Sequence, residues 1–138
     1  MTVKPLPLEA RIQRDIEAAL GSEQDLYLMR NSEGRAVYYS KDGKRYFVPY
    51  GLEVGSPDLV GMLRAPMRHG PNAEWLSYWF CLEIKRPGEE LSEDQVKCHA
   101  RWRARGALVY TVTSVEEARK ALEDARGRIA PARGRIAP

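Results

Sequence analysis

The stretch WLSYWFCLEIK, from Trp75 to Lys85, decides the fold of this chain. Side chains alternate between the two faces of a strand, so Glu83 and Lys85 share one face while Leu82 and Ile84 share the other. Both faces are mostly apolar until the last few residues, which is typical of a strand in the centre of a sheet. An acid and an amine at the end of such a strand cost desolvation, and this pattern indicates a functional tip.

A second acid, Asp58, follows the small-residue approach Gly55-Ser56-Pro57 at the entry to another apolar segment. Glycine lets the backbone come close to a ligand, and proline fixes the strand entry. Taken alone, Asp58 is read more simply as an acid that caps a turn, and Glu83 with Lys85 as part of a solvated strand face. Together they predict a site for Mg²⁺ or Mn²⁺, in which two carboxylates and the Ile84 carbonyl are suitable hard oxygen ligands. A lysine beside the ion can orient a water or hold a phosphate.

The rest of the chain alternates between strand and helix patterns. Helices are predicted where apolar residues recur at helical spacing, and strands where apolar runs lie between turn signals. The predicted helices are Leu8 to Leu20, Ser92 to about Arg105 and Val115 to about Arg126. The predicted strands are Asp25 to Arg30, Arg35 to Ser40, Arg45 to Val48, Pro57 to Leu63 with a break at Gly61, Trp75 to Lys85 and Ala107 to Thr113, and residues 64–74 are predicted to form a loop. This order predicts an α/β fold, with a mixed sheet flanked by helices and a parallel crossover between the last two strands.

Size and composition are those of one globular domain, with 138 residues of which 43% are hydrophobic and 30% charged. No apolar run approaches the ~20 residues of a membrane span. The first residues lack the apolar segment of a signal peptide. The protein is therefore expected in the cytoplasm, where Cys81 and Cys98 would be reduced thiols.

The formal net charge of +3 comes from the C-terminal end. The heptapeptide ARGRIAP occupies residues 125–131 and repeats at 132–138, with four arginines and no acid. Residues 1–124 hold 18 basic and 19 acidic residues, so the predicted domain, 1–124, is not a uniformly basic nucleic-acid binder. The tail, 125–138, is predicted to be a flexible extension. An arginine-glycine arm that grips the phosphate backbone is the alternative.

The residues around the two acids resemble the PD-(D/E)xK nuclease superfamily, and more closely its virus-type replication-repair nuclease (VRR-NUC) family. The motifs that carry the resemblance are Gly55 to Asp58, the run Glu83-Ile84-Lys85 and the helix start Ser92-Glu93-Asp94-Gln95. An acid in the first helix, Glu9, and the segment order also fit, so the resemblance covers roughly residues 8 to 124. It implies a restriction-endonuclease-like core.

By position, the resemblance implies that Asp58 and Glu83 are the metal ligands, assisted by the Ile84 carbonyl, and that Lys85 is the catalytic lysine. Gln95 is expected to face the site and to support the substrate or the lysine. Glu9 is expected to reach the metal directly or through water, although a plain acid at a helix N-terminus is the alternative.

DNA contacts are expected at several further positions. Asn31 either contacts DNA or simply forms a turn. Three cations that recur every four residues on the Gln95 helix form either a phosphate-tracking stripe or a solvated face. The full set of expected DNA contacts is Arg30, Asn31, Ser56, Lys97, Arg101 and Arg105.

The resemblance implies a DNA endonuclease that depends on Mg²⁺ or Mn²⁺. Stand-alone domains of the family resemble phage proteins that act on branched DNA as dimers, so we expect a homodimer that cuts a Holliday-junction-like substrate in DNA repair, in a bacterial or phage-infected cell. A non-catalytic DNA-binding or recruitment module that retains the fold is the alternative. A sequence-specific restriction enzyme is disfavoured because no separate recognition domain is evident.

The remaining residue types carry less chemistry. His69, Cys81, Cys98 and His99 do not have the spacing of a zinc site. Trp75, Trp79 and Trp102 are expected in the core or a dimer interface and not as platforms for stacked bases.

Overall fold

The computed structural model describes residues 3–65 and 76–129. The predictions for residues 66–74, for His69 and Trp75, and for residues 130–138 of the tail lie outside these ranges. None of the helices within the two ranges is both long and apolar enough to cross a membrane. The elements, in chain order, are α1 Leu8–Leu20, β1 Leu26–Arg30, β2 Gly34–Tyr39, β3 Arg45–Tyr50, β4 Leu59–Ala65, β5 Leu76–Ile84, α2 Glu93–Arg103, β6 Leu108–Val112 and α3 Val115–Ile129.

Four of the strands form a central mixed sheet in the order β1-β4-β5-β6. Strand β4 is antiparallel to both of its neighbours, β1 and β5, whereas β5 and β6 run parallel and are joined through α2. The α/β class, the mixed sheet and the parallel crossover are therefore confirmed. The remaining strands, β2 and β3, pair with each other in a separate hairpin that lies between β1 and β4 along the chain.

The sheet separates two apolar clusters, and β5 contributes to both. Phe80, Leu82 and Ile84 pack on one side with α1 and α3. Cys81 faces the other side, where the rings of Trp79 and Trp102 lie 6.3 Å apart. The predicted alternation along β5 is confirmed, and both of these tryptophans are partly buried and pack against the core.

The two cysteines are buried and free. Burial raises the pKa of the Cys81 thiol to about 12, with a smaller contribution from Cys98. Burial also raises the pKa of Cys98 to about 12, with its hydrogen bond to Glu53 as a further cause. Both thiols therefore stay protonated and unreactive at neutral pH.

The prediction that Gly61 breaks its strand is wrong. Strand β4 runs through Gly61, which pairs with Leu28, and continues to Ala65. A Cβ atom at this position would overlap the carbonyl oxygen of Tyr27 on the neighbouring strand. The glycine is therefore what allows β1 and β4 to approach, which is a common reason for a glycine inside a strand.

The predicted start of the tail at Ala125 is too early, because α3 continues to Ile129. Ala125 is fully buried and Ile129 is 5% exposed, so both contribute to the core. Arg126 donates two hydrogen bonds to Asp25, at 2.7 and 2.9 Å, and one to Glu23 at 2.8 Å. An arginine assigned to a flexible arm thus anchors the helix to the turn before β1.

Candidate active site

Strand pairing brings Asp58 and Glu83 together at one end of the sheet. Leu59, which follows Asp58, pairs with Leu82, which precedes Glu83. Asp58 Oδ2 accepts a hydrogen bond from the Ile84 backbone N–H at 2.7 Å. The carboxyl groups of Asp58 and Glu83 are hydrogen-bonded to each other. Two acids that are 25 residues apart in the sequence therefore form one carboxyl pair.

The carboxyl pair holds a proton at neutral pH. Burial, followed by the hydrogen bond to Glu83 and the negative charge of Glu83, raises the pKa of Asp58 to about 8. Burial also raises the pKa of Glu83, which is 2% exposed. Two carboxylates in such surroundings repel each other, so one stays protonated unless a cation compensates the charge. Excess negative charge on oxygen ligands is what a hard divalent cation requires, and the pair fits such an ion.

The acid of the first helix lies close to this pair without joining it. Glu9 is half-buried, and its pKa is raised first by burial and then by the charges of Asp58 and Glu89. Within residues 3–65 and 76–129, no three His, Cys, Asp or Glu side chains converge into a metal-binding group. Mg²⁺ is often held through one or two carboxylates together with substrate phosphates and retains several waters, so a pair of carboxylates is compatible with such an ion.

Lys85 is buried at the end of β5 with only 7% of its surface exposed. Its Nζ lies 3.3 Å from Glu89 Oε1, and its charge lowers the pKa of both Asp58 and Glu83. Glu89 comes within reach because the chain turns back at Gly88, whose φ is 83°. Sequence reasoning missed Glu89 because a turn carries no periodic pattern.

His99 is a second residue near the site that sequence reasoning missed. Its ring is fully buried, with Nε2 3.0 Å from Glu83 Oε1, and its Nδ1 has no hydrogen-bond partner. Burial lowers the pKa of His99, so the ring is neutral. A carboxylate only accepts hydrogen bonds, so we assign the proton to Nε2, which donates to Glu83. His99 follows Gln95 by four residues and shares its helix face, and that spacing could have identified it.

Gln95 itself closes the start of α2. Its Oε1 accepts a hydrogen bond from the Ser92 N–H at 2.9 Å, while Ser92 Oγ accepts one from the Gln95 N–H at 3.2 Å. This reciprocal pair is a capping box. The helix start also packs on the loop before Asp58, because a Cβ at Gly55 would overlap the carbonyl of Asp94. The predicted contribution of Gln95 to catalysis stays a prediction.

Asn31 and Ser56 brace the loop that precedes Asp58. Asn31 Nδ2 donates to Ser56 Oγ at 2.6 Å and to the Pro57 carbonyl at 2.9 Å, and its Oδ1 accepts from the Leu52 N–H at 3.2 Å. Both side chains are buried, with 8% and 3% exposed. Their side chains thus hold this loop in the structure, and their contact with DNA stays a prediction.

The other expected DNA contacts are exposed cations. Most of them already have partners, and their contact with DNA stays a prediction. Arg30 donates to Glu17 at 2.8 and 3.0 Å, Lys97 lies 2.8 Å from Glu93, Arg101 lies 3.6 Å from Glu53, and Arg105 donates to the Arg101 carbonyl at 3.0 Å.

Comparisons with known proteins bear on the fold. A scan against protein-family models and a search of curated proteins each found no match. Among solved structures, one described as a VRR_NUC domain is 21% identical to this chain, with a TM-score of 0.52. The likeness covers 86% of this chain and 97% of the other. The family resemblance drawn from the sequence is thus confirmed at the level of structure, and the chain has the fold of a VRR_NUC domain.

Proposed function

We propose that this domain is a metal-dependent endonuclease that hydrolyses phosphodiester bonds in DNA. The observation that carries the proposal is the pair of Asp58 and Glu83, which holds a proton beside the buried amine of Lys85. Burying like charges side by side costs stability, so a domain that only binds a partner has no use for them. The structural likeness to a VRR_NUC domain supports the same chemistry.

Asp58 and Glu83 would hold Mg²⁺ or Mn²⁺, assisted by the Ile84 carbonyl and, through water, by Glu9. The ion would lower the pKa of a water molecule and neutralise charge on the phosphoryl oxygens. The carboxyl pair would release its shared proton when the ion binds, so metal affinity is expected to rise with pH.

The remaining side chains would position the reacting groups. Glu89 holds Lys85 beside the carboxyl pair, where the ammonium can orient the attacking water or hold a phosphate oxygen as a point charge. His99 fixes the orientation of the Glu83 carboxylate through its Nε2–H.

The proposed substrate is branched DNA, cut by a homodimer. Two symmetric cuts at a four-way junction need two sites, and each copy of this domain provides one carboxyl pair. Residues 1–124 have no net positive charge, so a second copy would also enlarge the surface available to the phosphate backbone.

The test is cleavage of labelled four-way junction, flap, single-strand and linear duplex DNA with Mg²⁺, Mn²⁺ or EDTA. We expect cleavage only with a divalent ion, preference for the junction, and loss of cleavage in Glu83→Gln, which retains the shape of the side chain. Light scattering with and without the junction would report the dimer. A folded protein that binds these DNAs and cuts none would instead be a non-catalytic module, and a strict monomer would remove the junction assignment.

Removing the donor of His99 is expected to weaken Mn²⁺ binding about 10- to 100-fold, because the groups that orient a metal ligand typically contribute that much. His99→Leu fills the site without a donor, whereas His99→Gln retains an N–H in a similar place. Calorimetric titration with Mn²⁺ should therefore show weaker binding in the first variant and recovery in the second. Equal affinities, with a change in stability alone, would mean that His99 is only a core residue.

A further inference from the structure

The hairpin of β2 and β3 is an exposed element that the proposed chemistry does not use. It leaves the sheet between Arg30 and Asp58, and Leu59 pairs with both Arg30 and Leu82, so it starts at the end of the sheet that holds the carboxyl pair. All residues of both strands are exposed except Gly34, which is intermediate. Six residues at ~3.3 Å each make the hairpin ~20 Å long.

The hairpin is held by its own local contacts. Ser40 and Lys44 are hydrogen-bonded through their backbones, and Ser40 also contacts Asp42 across the turn, where Gly43 has a φ of 82°. The rings of Tyr38 and Tyr46 stack across the strands with centroids 5.3 Å apart. Paired aromatic residues of this kind add to the stability of a two-stranded ribbon.

The strand register divides the hairpin into two different faces. Direct cross-strand partners point to the same side, so the stacked tyrosines share one face with Val48. The opposite face presents the pairs Arg35–Pro49, Val37–Phe47 and Tyr39–Arg45. This second face, called the arginine face below, combines two guanidinium groups with exposed aromatic rings.

The cations of the arginine face are not neutralised by acids. Within residues 3–65 and 76–129, neither Arg35 nor Arg45 forms an ion pair, and Arg45 lies 4.8 Å above the ring of Phe47. Most other arginines and lysines near the site are paired, such as Arg30 with Glu17 and Lys97 with Glu93. The hairpin segment, residues 34–50, also contains Lys41 and Lys44 and a single acid, although residues 1–124 as a whole are near neutral.

We propose that the arginine face of this hairpin binds the DNA backbone beside the cleavage site. The assignment rests on the proposed function for the choice of DNA as the partner. Unpaired guanidinium groups provide sequence-independent attraction to phosphates, and neighbouring aromatic rings can stack on bases that are unpaired near a branch point. The hairpin would thus supply a local positive patch on a domain that has no net positive charge overall.

The test compares three forms of the full chain by fluorescence anisotropy, with labelled four-way junction DNA in EDTA so that no cleavage occurs. The variant Arg35→Ala/Arg45→Ala removes both guanidinium groups, and Arg119→Ala/Lys120→Ala removes two exposed charges from α3 as the matched control. We expect the hairpin variant to bind about 10- to 100-fold more weakly. The slope of log K against log salt should be less steep by about 2 for this variant, since each phosphate contact contributes ~0.9 to it. The control should match the wild type.

A second arm separates this proposal from the nuclease proposal. At saturating DNA and metal, the hairpin variant should have the kcat of the wild type and a higher KM. Unchanged affinity and salt dependence in the variant would overturn the hairpin assignment and leave the nuclease untouched. If the variant shifts from dimer to monomer while the salt dependence of DNA binding per protomer stays normal, the hairpin is an interface between copies. That result would also overturn the proposal that the arginine face binds DNA. If the wild type cuts no DNA but the hairpin variant still binds DNA more weakly, the hairpin proposal would stand and the nuclease proposal would be excluded.

Discussion

Replacing Asp58 with asparagine should abolish cleavage and, at the same time, stabilise the metal-free protein. Asparagine retains an oxygen that can accept from the Ile84 N–H, but it has no charge to place beside Glu83. The pKa of Asp58 is about 8 in the folded protein, against an ordinary value of 3.8. Between these two values the folded state keeps a proton that the unfolded state has lost, so the free energy of unfolding of the wild type falls as pH rises.

The variant should show no such fall at this site, because an amide does not titrate in this range. At pH 8 its free energy of unfolding should exceed that of the wild type by up to about 5 kcal/mol, since each of the roughly four pKa units between 3.8 and 8 corresponds to ~1.4 kcal/mol. Denaturant titrations in EDTA from pH 5 to pH 8.5 would measure the difference. Mn²⁺ should stabilise the wild type, because it binds the folded state, and should have little effect on the variant.

Asp25→Asn is the matched control, since it is the same chemical change with the opposite expected sign. The hydrogen bond from Arg126 lowers the pKa of Asp25, so this carboxylate contributes stability above its ordinary pKa and loses it as pH falls. Its replacement should destabilise the protein at neutral pH and leave cleavage intact. If Asp58→Asn were destabilising to the same degree, the carboxyl pair would not be a strained metal site.

Replacing Lys85 with methionine is expected to lower kcat about 10²- to 10⁴-fold while the protein still binds Mn²⁺ and DNA. Methionine retains most of the buried stem and removes only the ammonium group. Since Lys85 is a neighbour of the carboxyl pair and not one of its members, its loss separates catalysis from metal binding. Single-turnover cleavage and calorimetric Mn²⁺ titration at pH 8.5 would measure the two effects.

Lys120→Met is the corresponding control, because Lys120 is an exposed lysine on α3 that pairs with Glu116. It should leave kcat unchanged. Equal rates for Lys85→Met and the wild type would exclude Lys85 from the chemistry, whereas a joint loss of Mn²⁺ binding and rate would make it a support of the carboxyl pair.

Local patterns were sufficient to predict most of the fold. The apolar spacing of α1 ends at Gly21, and the alternation in β5 follows directly from the period of a strand. The hairpin was predicted from its turn residues, and Gly43 does adopt the required positive φ. These features depend on neighbours within a few positions, which a sequence displays directly.

The errors arise where a residue is determined by a distant part of the chain. Gly61 was predicted to break its strand because nothing nearby shows that Tyr27 packs against it. The hydrogen bond between Asn31 and Ser56 spans 25 positions, so no local pattern in the sequence indicates it. Arg126 was placed in a flexible arm, although its partners lie about 100 positions earlier.

The same distinction between local patterns and distant contacts applies to the candidate site. Asp58, Glu83 and Lys85 were identified from the sequence because charged residues at the ends of apolar strands stand out against the alternation around them. Their union into one pair that holds a proton, the contact of His99 with Glu83 and the exposure of an arginine face on the hairpin were decided by the tertiary structure alone. Strand pairing and burial set these distances and dielectric surroundings, and neither is a property of any residue's neighbours in the chain.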